Sequence, residues 1–380
     1  MRLEKYKEKN PKKTGIILFT IACILLIAEV FFYISFASFE SKETYNIMEG
    51  SVSDPGDIYF AYYVDGVATN TLPSKEDGYI IDSTKTNCTK GAKIVFDSVN
   101  WEVIISELTE SMTKCTLYFK KVEIPTDTFA ATLLAQGETD ELKLDGTVDN
   151  NLRYVGVNPN NYVKFDEELW RIVGVFNNVL NENNETQSRI KLVRKDLYID
   201  YTAWDVLDIN EWQTASLQTE LNTNFYNQID SLHPYIASAY WNIGDSSTYK
   251  DVTTAQFYEA EKKEIWLGNV GLINVSDVGF ATYNGDEEVR NGCLENYLYE
   301  WSENRECYDQ DWLFFERTYW TINNCSMSDY YAFTISTSGR TNINHAEDEI
   351  NAVYPTVFLK EDVKVLSGTG TREDPYILTI

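Results

Sequence analysis

Three aromatic residues in an acidic, polar stretch of the chain are the strongest candidates for contact with a ligand. Trp301, Tyr308 and Trp312 lie in or beside residues 284–311, which are rich in carboxylates and amides. Aromatic faces flanked by such groups suit the surfaces of sugars and proteins. Burial in a core is the competing interpretation for each ring, and it is the favoured one for the following Trp320. The pattern therefore indicates binding, with a glycan or a surface protein as the ligand.

A run of carboxylates at the start of the same stretch is a weaker candidate, for a metal. Asp286, Glu287 and Glu288 offer the hard oxygen ligands that Ca²⁺ prefers. The chain lacks the pattern of an EF-hand loop, and with 59 Asp and Glu residues some runs of carboxylates are expected by chance. Calcium is the one cofactor that the sequence suggests, and otherwise none is expected.

Residue types for acid–base or nucleophilic catalysis are scarce. Of the two histidines, His233 precedes Pro234, where the end of a helix explains it, and His345 lies in a polar turn. No G-x-S-x-G, H-E-x-x-H or P-loop motif is present. Neighbouring acids such as Asp166 and Glu167 are too common in this chain to indicate a glycosidase. The sequence therefore predicts that the protein is not an enzyme.

The six cysteines divide between an N-terminal apolar segment, which holds Cys23, and the rest of the chain. Cys88 and Cys115 lie in the stretch 41–123, which is short enough to have a thin core. A disulfide between them closes a loop of about 28 residues and stabilises the fold by about 3.5 kcal/mol in the chain-entropy model. Two free thiols are the alternative.

Cys293 and Cys307 lie within residues 284–311, whose polarity predicts a long surface loop. A disulfide between them closes this loop, and we favour it over any pairing with Cys325, whose state stays open. No pair has the C-x-x-C spacing of a zinc or redox site. Disulfides persist in oxidising compartments, so both pairings depend on export of the chain.

The N-terminus carries the signal for export. Six Lys and Arg residues crowd the first 13 positions, and an apolar run follows, interrupted by Glu29. Positive charge before an apolar stretch keeps that end in the cytoplasm. Residues 16–37 would form about 33 Å of helix, enough to span a bilayer, although Glu29 near its middle would cost roughly 2.5–3.5 kcal/mol. A signal peptide cleaved near Ala37 is the alternative.

The formal net charge is −27, although basic residues dominate the N-terminus. Such an acidic surface repels nucleic acid and anionic lipid headgroups, so we expect no nucleic-acid partner. Residues 1–40 are predicted to form a cytoplasmic basic tail and a transmembrane anchor, or a signal peptide. The rest is then anchored at the extracellular face of the membrane, or secreted if cleavage occurs.

Hairpin signals indicate an all-β domain over residues 41–123. The strand-like residues 59–64 precede Asp65 and Gly66, a dipeptide typical of two-residue hairpin turns. A second hairpin is expected over residues 92–105. The stretch is therefore predicted to form a small β-sandwich-like domain.

Residues 124–380 combine strand-like segments with two expected helices. Apolar residues recur at four-residue steps after Thr214, a candidate N-cap, and a second helix is expected over residues 253–263. Ser276 and Asp277 are expected to cap a short helical turn. The mixture predicts a domain of the α+β class.

Four C-terminal segments carry a family resemblance, namely VGLINVSDVGFA (270–281), YWTINN (319–324), YAFTIS (331–336) and YPTVFLKEDVKVLSGTGTREDPYIL (354–378). In this order they resemble bacterial surface proteins that carry a C-type-lectin-like domain, related in fold to formylglycine-generating enzymes. The resemblance covers residues 128–380 and implies two helices around irregular antiparallel sheets, with ligand contacts on long loops. The fold class predicted for the chain is α+β: an N-terminal membrane helix, a small all-β domain and a C-type-lectin-like mixed domain.

The resemblance carries neither catalysis nor a calcium site onto this chain. Cys325 does not align with the paired active-site cysteines of the generating enzymes, and the Glu-Pro-Asn and Gln-Pro-Asp triplets of many calcium-dependent lectins are missing. We expect a cell-surface or secreted binding protein that presents a lectin-like domain to a glycan or protein. The alternatives are an extracellular enzyme, formylglycine-generating-like or a hydrolase, and a pilin-like structural subunit processed after Gly15.

Overall fold

The computed structural model describes residues 58–69, 71–74, 78–97, 101–107, 112–121, 126–165 and 168–380. The predicted anchor or signal peptide lies outside these residues. Within them, no helix combines the length and the apolar composition needed to cross a membrane. The chain forms two compact units, Met1–Lys121 and Val122–Ile380. The boundary predicted from the sequence lies two residues later.

The described part of the first unit contains seven strands: β1 (Tyr59–Val64), β2 (Val67–Thr69), β3 (Tyr79–Ile81), β4 (Asn87–Cys88), β5 (Lys93–Asp97), β6 (Glu102–Ser106) and β7 (Lys114–Lys121). Five form a sheet in the order β2-β1-β7-β3, with β4 also paired to β7. β1 and β7 are parallel, and the other pairs are antiparallel. The β5–β6 hairpin packs its apolar side chains against this sheet.

Turn chemistry and alternation explain this sheet. Asp65 and Gly66 have φ values of 49° and 81°, the left-handed conformation that a type I′ turn needs at both central positions. Leu117 and Phe119 alternate along β7 with exposed or half-buried residues and face the hairpin core. Each predicted hairpin is therefore present in the structure.

The described residues of the second unit form sixteen strands: β8 (Leu142–Leu144), β9 (Leu152–Tyr154), β10 (Tyr162–Phe165), β11 (Glu168–Leu180), β12 (Thr186–Arg194), β13 (Ile199–Thr202), β14 (Ala239–Asn242), β15 (Ile265–Gly268), β16 (Val270–Gly271), β17 (Tyr319–Cys325), β18 (Tyr331–Ser336), β19 (Arg340–His345), β20 (Asn351–Val353), β21 (Thr356–Phe358), β22 (Lys364–Ser367) and β23 (Ile377–Thr379). One antiparallel sheet has the order β16-β21-β12-β11-β9-β8, with β10 also paired to β11. A five-stranded sheet has the order β13-β20-β17-β18-β19, and β14–β15 and β22–β23 form separate hairpins.

The helices of this unit are short: α1 (Phe129–Gln136), α2 (Ser216–Glu220), α3 (Tyr226–Gln228), α4 (Thr254–Glu261), α5 (Val275–Phe280), α6 (Glu287–Glu295) and α7 (Arg305–Tyr308). A π-helical turn, Leu221–Phe225, joins α2 to α3, and 3₁₀ turns lie at Trp212–Thr214, Asp230–Leu232 and Leu298–Glu303. The predicted α+β class of the second unit is thereby confirmed.

One local prediction about a helix end was wrong, and a second was right only in part. The N-cap of α2 is Ala215 rather than Thr214, because Thr214 belongs to the preceding 3₁₀ turn. The N-cap of α5 is Asn274, and Ser276 and Asp277 lie within the helix. The Asp277 carboxylate accepts a hydrogen bond from the Asn274 backbone amide at 2.9 Å, which closes a capping box. The helix predicted near residue 253 is confirmed, with Thr253 as the N-cap of α4.

Residues 284–311 were predicted to be a surface loop, and this prediction was wrong. They form α6, the 3₁₀ turn Leu298–Glu303 and α7. Cys293, Cys307 and Trp301 anchor them in a buried core together with Phe333 of β18. Apolar residues spaced among the carboxylates give these short helices one face to bury, which the overall polarity of the stretch obscured.

Candidate functional site

A cavity of about 330 Å³ lies where the large sheet of the second unit meets α4. The C-terminal part of β11, one lysine of β12, the β14–β15 hairpin, α4, the first turn of α5 and Phe358 of β21 contribute its lining. We call it the α4 cavity. A register shift between Phe176 and Val179 interrupts the pairing of β11 with β12, and Asn178 within it has a φ of 60°. This irregularity places Asn177 and Asn178 at the cavity.

Lys191 is a charged residue in the middle of the otherwise apolar inner part of β12. Its side chain is 1% exposed, and its ammonium donates to Asp277 at 2.5 Å and to Asn274 at 2.8 Å. Three rings surround the ammonium at 5.2–5.8 Å from their centroids, those of Phe176, Trp241 and Phe358. Burial lowers the pKa of Lys191, and the Asp277 carboxylate opposes that effect.

Asp277 binds a second cation from the large sheet. Arg153 of β9 donates to Asp277 at 2.7 Å and to Asp145 at 3.2 Å. Burial by itself would raise the pKa of Asp277, but Lys191 and Arg153 together hold that pKa below its ordinary value. The two cations and two carboxylates balance, as buried charges must if the fold is to tolerate them.

Glu261 lies at the end of α4 and lines the same cavity, and no cation among the described residues forms an ion pair with it. Its side chain accepts from the Ser276 backbone amide at 2.9 Å and pairs with the Ser276 hydroxyl at 2.5 Å. Burial raises the pKa of Glu261 to about 8. The carboxyl group of Glu261 therefore carries a proton at neutral pH.

The rim of the cavity is organised around Asp149. Its carboxylate accepts from Tyr258 at 2.6 Å, from Lys262 at 2.5 Å and from Asn178 at 3.0 Å. Burial favours a higher pKa for Asp149, but Lys262 and the other donors leave it lowered. The rim is thus held by a charged hydrogen-bond network rather than by backbone pairing alone.

Two polar residues of the lining have unengaged side chains. In the described part of the chain, neither the Tyr240 hydroxyl nor the Asn242 side-chain amide has a hydrogen-bond partner. Both residues belong to β14 and are half-buried at the cavity. The cavity therefore combines aromatic rings, a neutral acid and unengaged polar groups, an arrangement typical of sites for small polar molecules.

The aromatic residues that the sequence singled out do not meet at one surface. The Trp301 side chain is fully buried, and the Trp312 side chain is 5% exposed, with its indole donating to the Tyr154 carbonyl at 2.9 Å. Tyr308 is half-buried against Phe314, with a ring distance of 6.0 Å. None of the three belongs to the lining of the α4 cavity.

The carboxylates singled out for calcium have local structural roles. Asp286 is the N-cap of α6 and accepts from the Glu288 amide at 2.8 Å. Glu287 pairs with Lys143 at 2.5 Å. Among the described residues, no group of three or more His, Cys, Asp or Glu side chains is placed so that it could hold a metal ion. Negative charge in the first turn stabilises a helix, which accounts for this run.

Both predicted disulfides are present in the structure. Cys88–Cys115 joins β4 to β7 with a Cα–Cα distance of 4.0 Å, and Cys293–Cys307 joins α6 to α7 at 5.5 Å. Cys325 is a buried free thiol at the end of β17, and burial raises its pKa. A thiol in this environment is protonated at neutral pH and chemically inert.

Sequence reasoning missed the cavity residues, although two local signals were present. Lys191 interrupts the apolar run IKLVR, where an inward-facing lysine needs a buried partner. Asn274 and Asp277 have the spacing of a capping box, which fixes the orientation of the Asp277 carboxylate. No family model, curated protein or solved structure matches this chain.

Proposed function

We propose that this protein is an exported binding protein, anchored at the extracellular face of a membrane or secreted, and that its second unit holds part of a glycan in the α4 cavity. The lectin-like resemblance of residues 128–380 supports a glycan as the ligand. That resemblance would place the contacts on long loops. We place the ligand contacts in the cavity instead, because the side chains of Trp301 and Trp312 are buried.

The lining of the α4 cavity is the observation that carries the proposal. A volume of about 330 Å³ is at the lower end of ligand sites and suits a single sugar ring. A sugar presents apolar C–H faces and hydroxyl groups, which match aromatic rings and amides respectively. The unengaged side chains of Tyr240 and Asn242 offer one hydroxyl and one amide to such a ring.

Rigidity of the surrounding network also supports binding. Asp277 fixes two cations from different strands, and Asp149 fixes the rim through Tyr258, Lys262 and Asn178. Side chains that are already held in place lose little conformational entropy when a ligand binds. A small cavity with a fixed lining can therefore bind a weakly hydrophobic ligand such as a sugar.

Export is supported by the cysteines. Disulfides between Cys88 and Cys115 and between Cys293 and Cys307 agree with an oxidising compartment. The N-terminal anchor or signal peptide lies outside the described residues and stays a prediction. A thiol-dependent enzyme is not favoured, because Cys325 is buried and its pKa is raised.

The proposal is tested by applying the purified full chain to an array of glycans and host surface proteins. We expect glycan binding by the wild type and at least a tenfold loss in Asn242→Trp, whose indole would fill the cavity from β14. Leu267→Trp is the matched control, because Leu267 lies on the paired strand β15, is 39% exposed and does not line the cavity.

Tyr308→Ala tests the alternative that the aromatic residues Trp301, Tyr308 and Trp312 make the contact. Loss of glycan binding in Tyr308→Ala, with Asn242→Trp unaffected, would move the site to that surface. Binding to no member of the array would refute the proposed function altogether.

A further inference from the structure

The Glu261–Ser276 pair has more hydrogen-bond donors than it can use internally. A protonated carboxyl group and a serine hydroxyl carry one O–H each, and a single hydrogen bond joins them at 2.5 Å. In the part of the chain that the structure describes, neither side chain has any further acceptor. One of the two O–H groups is therefore left without a partner, and both residues line the α4 cavity. Glu261 is 2% exposed and Ser276 1% exposed, so this donor is largely withdrawn from bulk solvent.

The surrounding charges explain why Glu261 keeps its proton. The charged groups around it lie on three elements, on the connection that follows β8 and at the rim. They are Asp277 on α5, Lys191 on β12, Arg153 on β9 with its partner Asp145, and the Lys262–Asp149 pair. Each cation in this set is already engaged by a carboxylate. An ionised Glu261 would add an uncompensated negative charge to a buried site, which costs several kcal/mol.

We propose that the Glu261–Ser276 pair donates the hydrogen bond that recognises the ligand in the α4 cavity, and that the recognised group is an uncharged oxygen that only accepts, such as the amide carbonyl of an N-acylated sugar. This inference rests on the function proposed above. It names the ligand group that the cavity selects.

The charged residues of the cavity disfavour a carboxylate or an ammonium group on the ligand. Both cationic side chains of the lining, Lys191 and Lys262, are paired with Asp277 and Asp149, so a carboxylate ligand would meet no free cation. An ammonium group cannot accept a hydrogen bond, and it binds next to Glu261 only after the proton has been expelled. A hydroxyl group can either donate or accept, so it fits both states of Glu261 and is not selected.

Selection by a titrating donor makes binding depend on pH. Because burial raises the pKa of Glu261 to about 8, the donor is present at pH 7 and is mostly lost at pH 9. The affinity for an accepting oxygen should fall about tenfold over this interval, since the protonated fraction falls about tenfold. The affinity for an ammonium ligand would change in the opposite direction.

The test uses the full chain and a matched panel of methyl glycosides in the gluco, galacto and manno series. Within each series the sugars differ at one position, which carries an N-acetyl group, a free amine or a hydroxyl. Affinities are measured by calorimetry at pH 7 and pH 9. We expect an N-acetylated sugar to bind best at pH 7 and to lose about tenfold in affinity at pH 9.

Variants of Glu261 and Ser276 distinguish hydrogen-bond donation to the ligand from a purely structural role of this pair. Glu261→Gln keeps an N–H donor that does not titrate, so its affinity should be several-fold weaker than that of the wild type and unchanged between pH 7 and pH 9. Ser276→Ala removes the second hydroxyl and should weaken binding at pH 7. Titration of Glu261 in the ligand-free wild type, followed by its carboxyl carbon in NMR spectra, checks the proton independently of any variant.

The outcomes distinguish this inference from the proposed function. Tighter binding of the amine, or affinity for the N-acetylated sugar that does not change with pH, would overturn the inference and leave the cavity as a glycan site. An array and a panel that both show no binding would overturn the proposed function and the inference with it.

Discussion

The ammonium group of Lys191 lies 2.5 Å from the carboxylate of Asp277 in a site where each side chain is 1% exposed. The pair joins β12 of the large sheet to the first turn of α5. Arg153 extends the network from Asp277 to Asp145. Because α5 also carries Ser276, this ion pair fixes one wall of the α4 cavity against the sheet.

Loss of the Asp277 charge should destabilise the second unit strongly. Asp277→Asn leaves the buried cations Lys191 and Arg153 facing a neutral amide, and breaking a buried ion pair in this way costs about 3–5 kcal/mol. Urea unfolding of the full chain, followed by tryptophan fluorescence, measures this loss. Asp196→Asn is the control, since its side chain is 72% exposed beside Lys195. Its effect should stay within about 0.5 kcal/mol, and an equal effect of both variants would contradict the assigned role of Asp277.

Stability should decrease as the pH rises through the titration range of Glu261. The pKa of this carboxyl group is about 8 in the folded chain and has a reference value of 4.5. Between these values the folded state binds the extra proton, so the free energy of unfolding falls with rising pH, by up to about 4–5 kcal/mol. Glu261→Gln should lack this decrease.

Urea midpoints of the wild type and of Glu261→Gln, measured from pH 4 to pH 9, show whether their stabilities depend differently on pH. Glu259→Gln, an exposed position on the same helix, should keep the slope of the wild type. A wild-type slope that is identical to that of Glu261→Gln would show that Glu261 titrates normally in the folded chain.

Close contact between α4 and α5 makes Gly279 sensitive to any side chain. A Cβ atom at Gly279 would lie 2.0 Å from the hydroxyl oxygen of Thr254, and both residues are buried. Gly279→Ala should therefore cost about 1–3 kcal/mol in the free energy of unfolding and weaken ligand binding, because it separates Ser276 from Glu261. Gly292→Ala is the matched control in α6, where a Cβ atom would meet nothing within 4 Å. That change should be neutral or slightly stabilising, and equal costs for both variants would argue against this contact.

Alkylation followed by peptide mapping should identify the state of the cysteines. Without reductant, Cys325 should react only after unfolding, because it is a buried free thiol whose pKa is raised by burial. Cys88, Cys115, Cys293 and Cys307 should react only after reduction. A disulfide-linked peptide that contains Cys325 would contradict the pairing.

Features that depend on neighbouring residues could be predicted from the sequence. The Asp65-Gly66 hairpin and the helix that begins after Thr253 follow from turn and capping chemistry. The Cys88–Cys115 pair follows from the need of a small domain for a covalent link. These predictions require no knowledge of which distant segments of the chain contact one another.

The α4 cavity could not be predicted, because its members come from segments far apart in the chain. Lys191 and Asp277 are separated by 86 residues, and Arg153 and Asp277 by 124. The sequence indicates that a buried lysine needs a partner, but it does not indicate which of 59 acidic residues supplies it. Asp286 was misread for a related reason, since its role as a helix cap depends on α6, which the acidic composition concealed.

A crystal structure of the full chain with the tightest-binding glycan of the array tests the central claim most directly. We expect one sugar ring in the α4 cavity, with an oxygen within hydrogen-bond distance of Glu261 or Ser276 and contacts to Tyr240 and Asn242. A glycan bound beside Tyr308, with the cavity unchanged, would contradict the account.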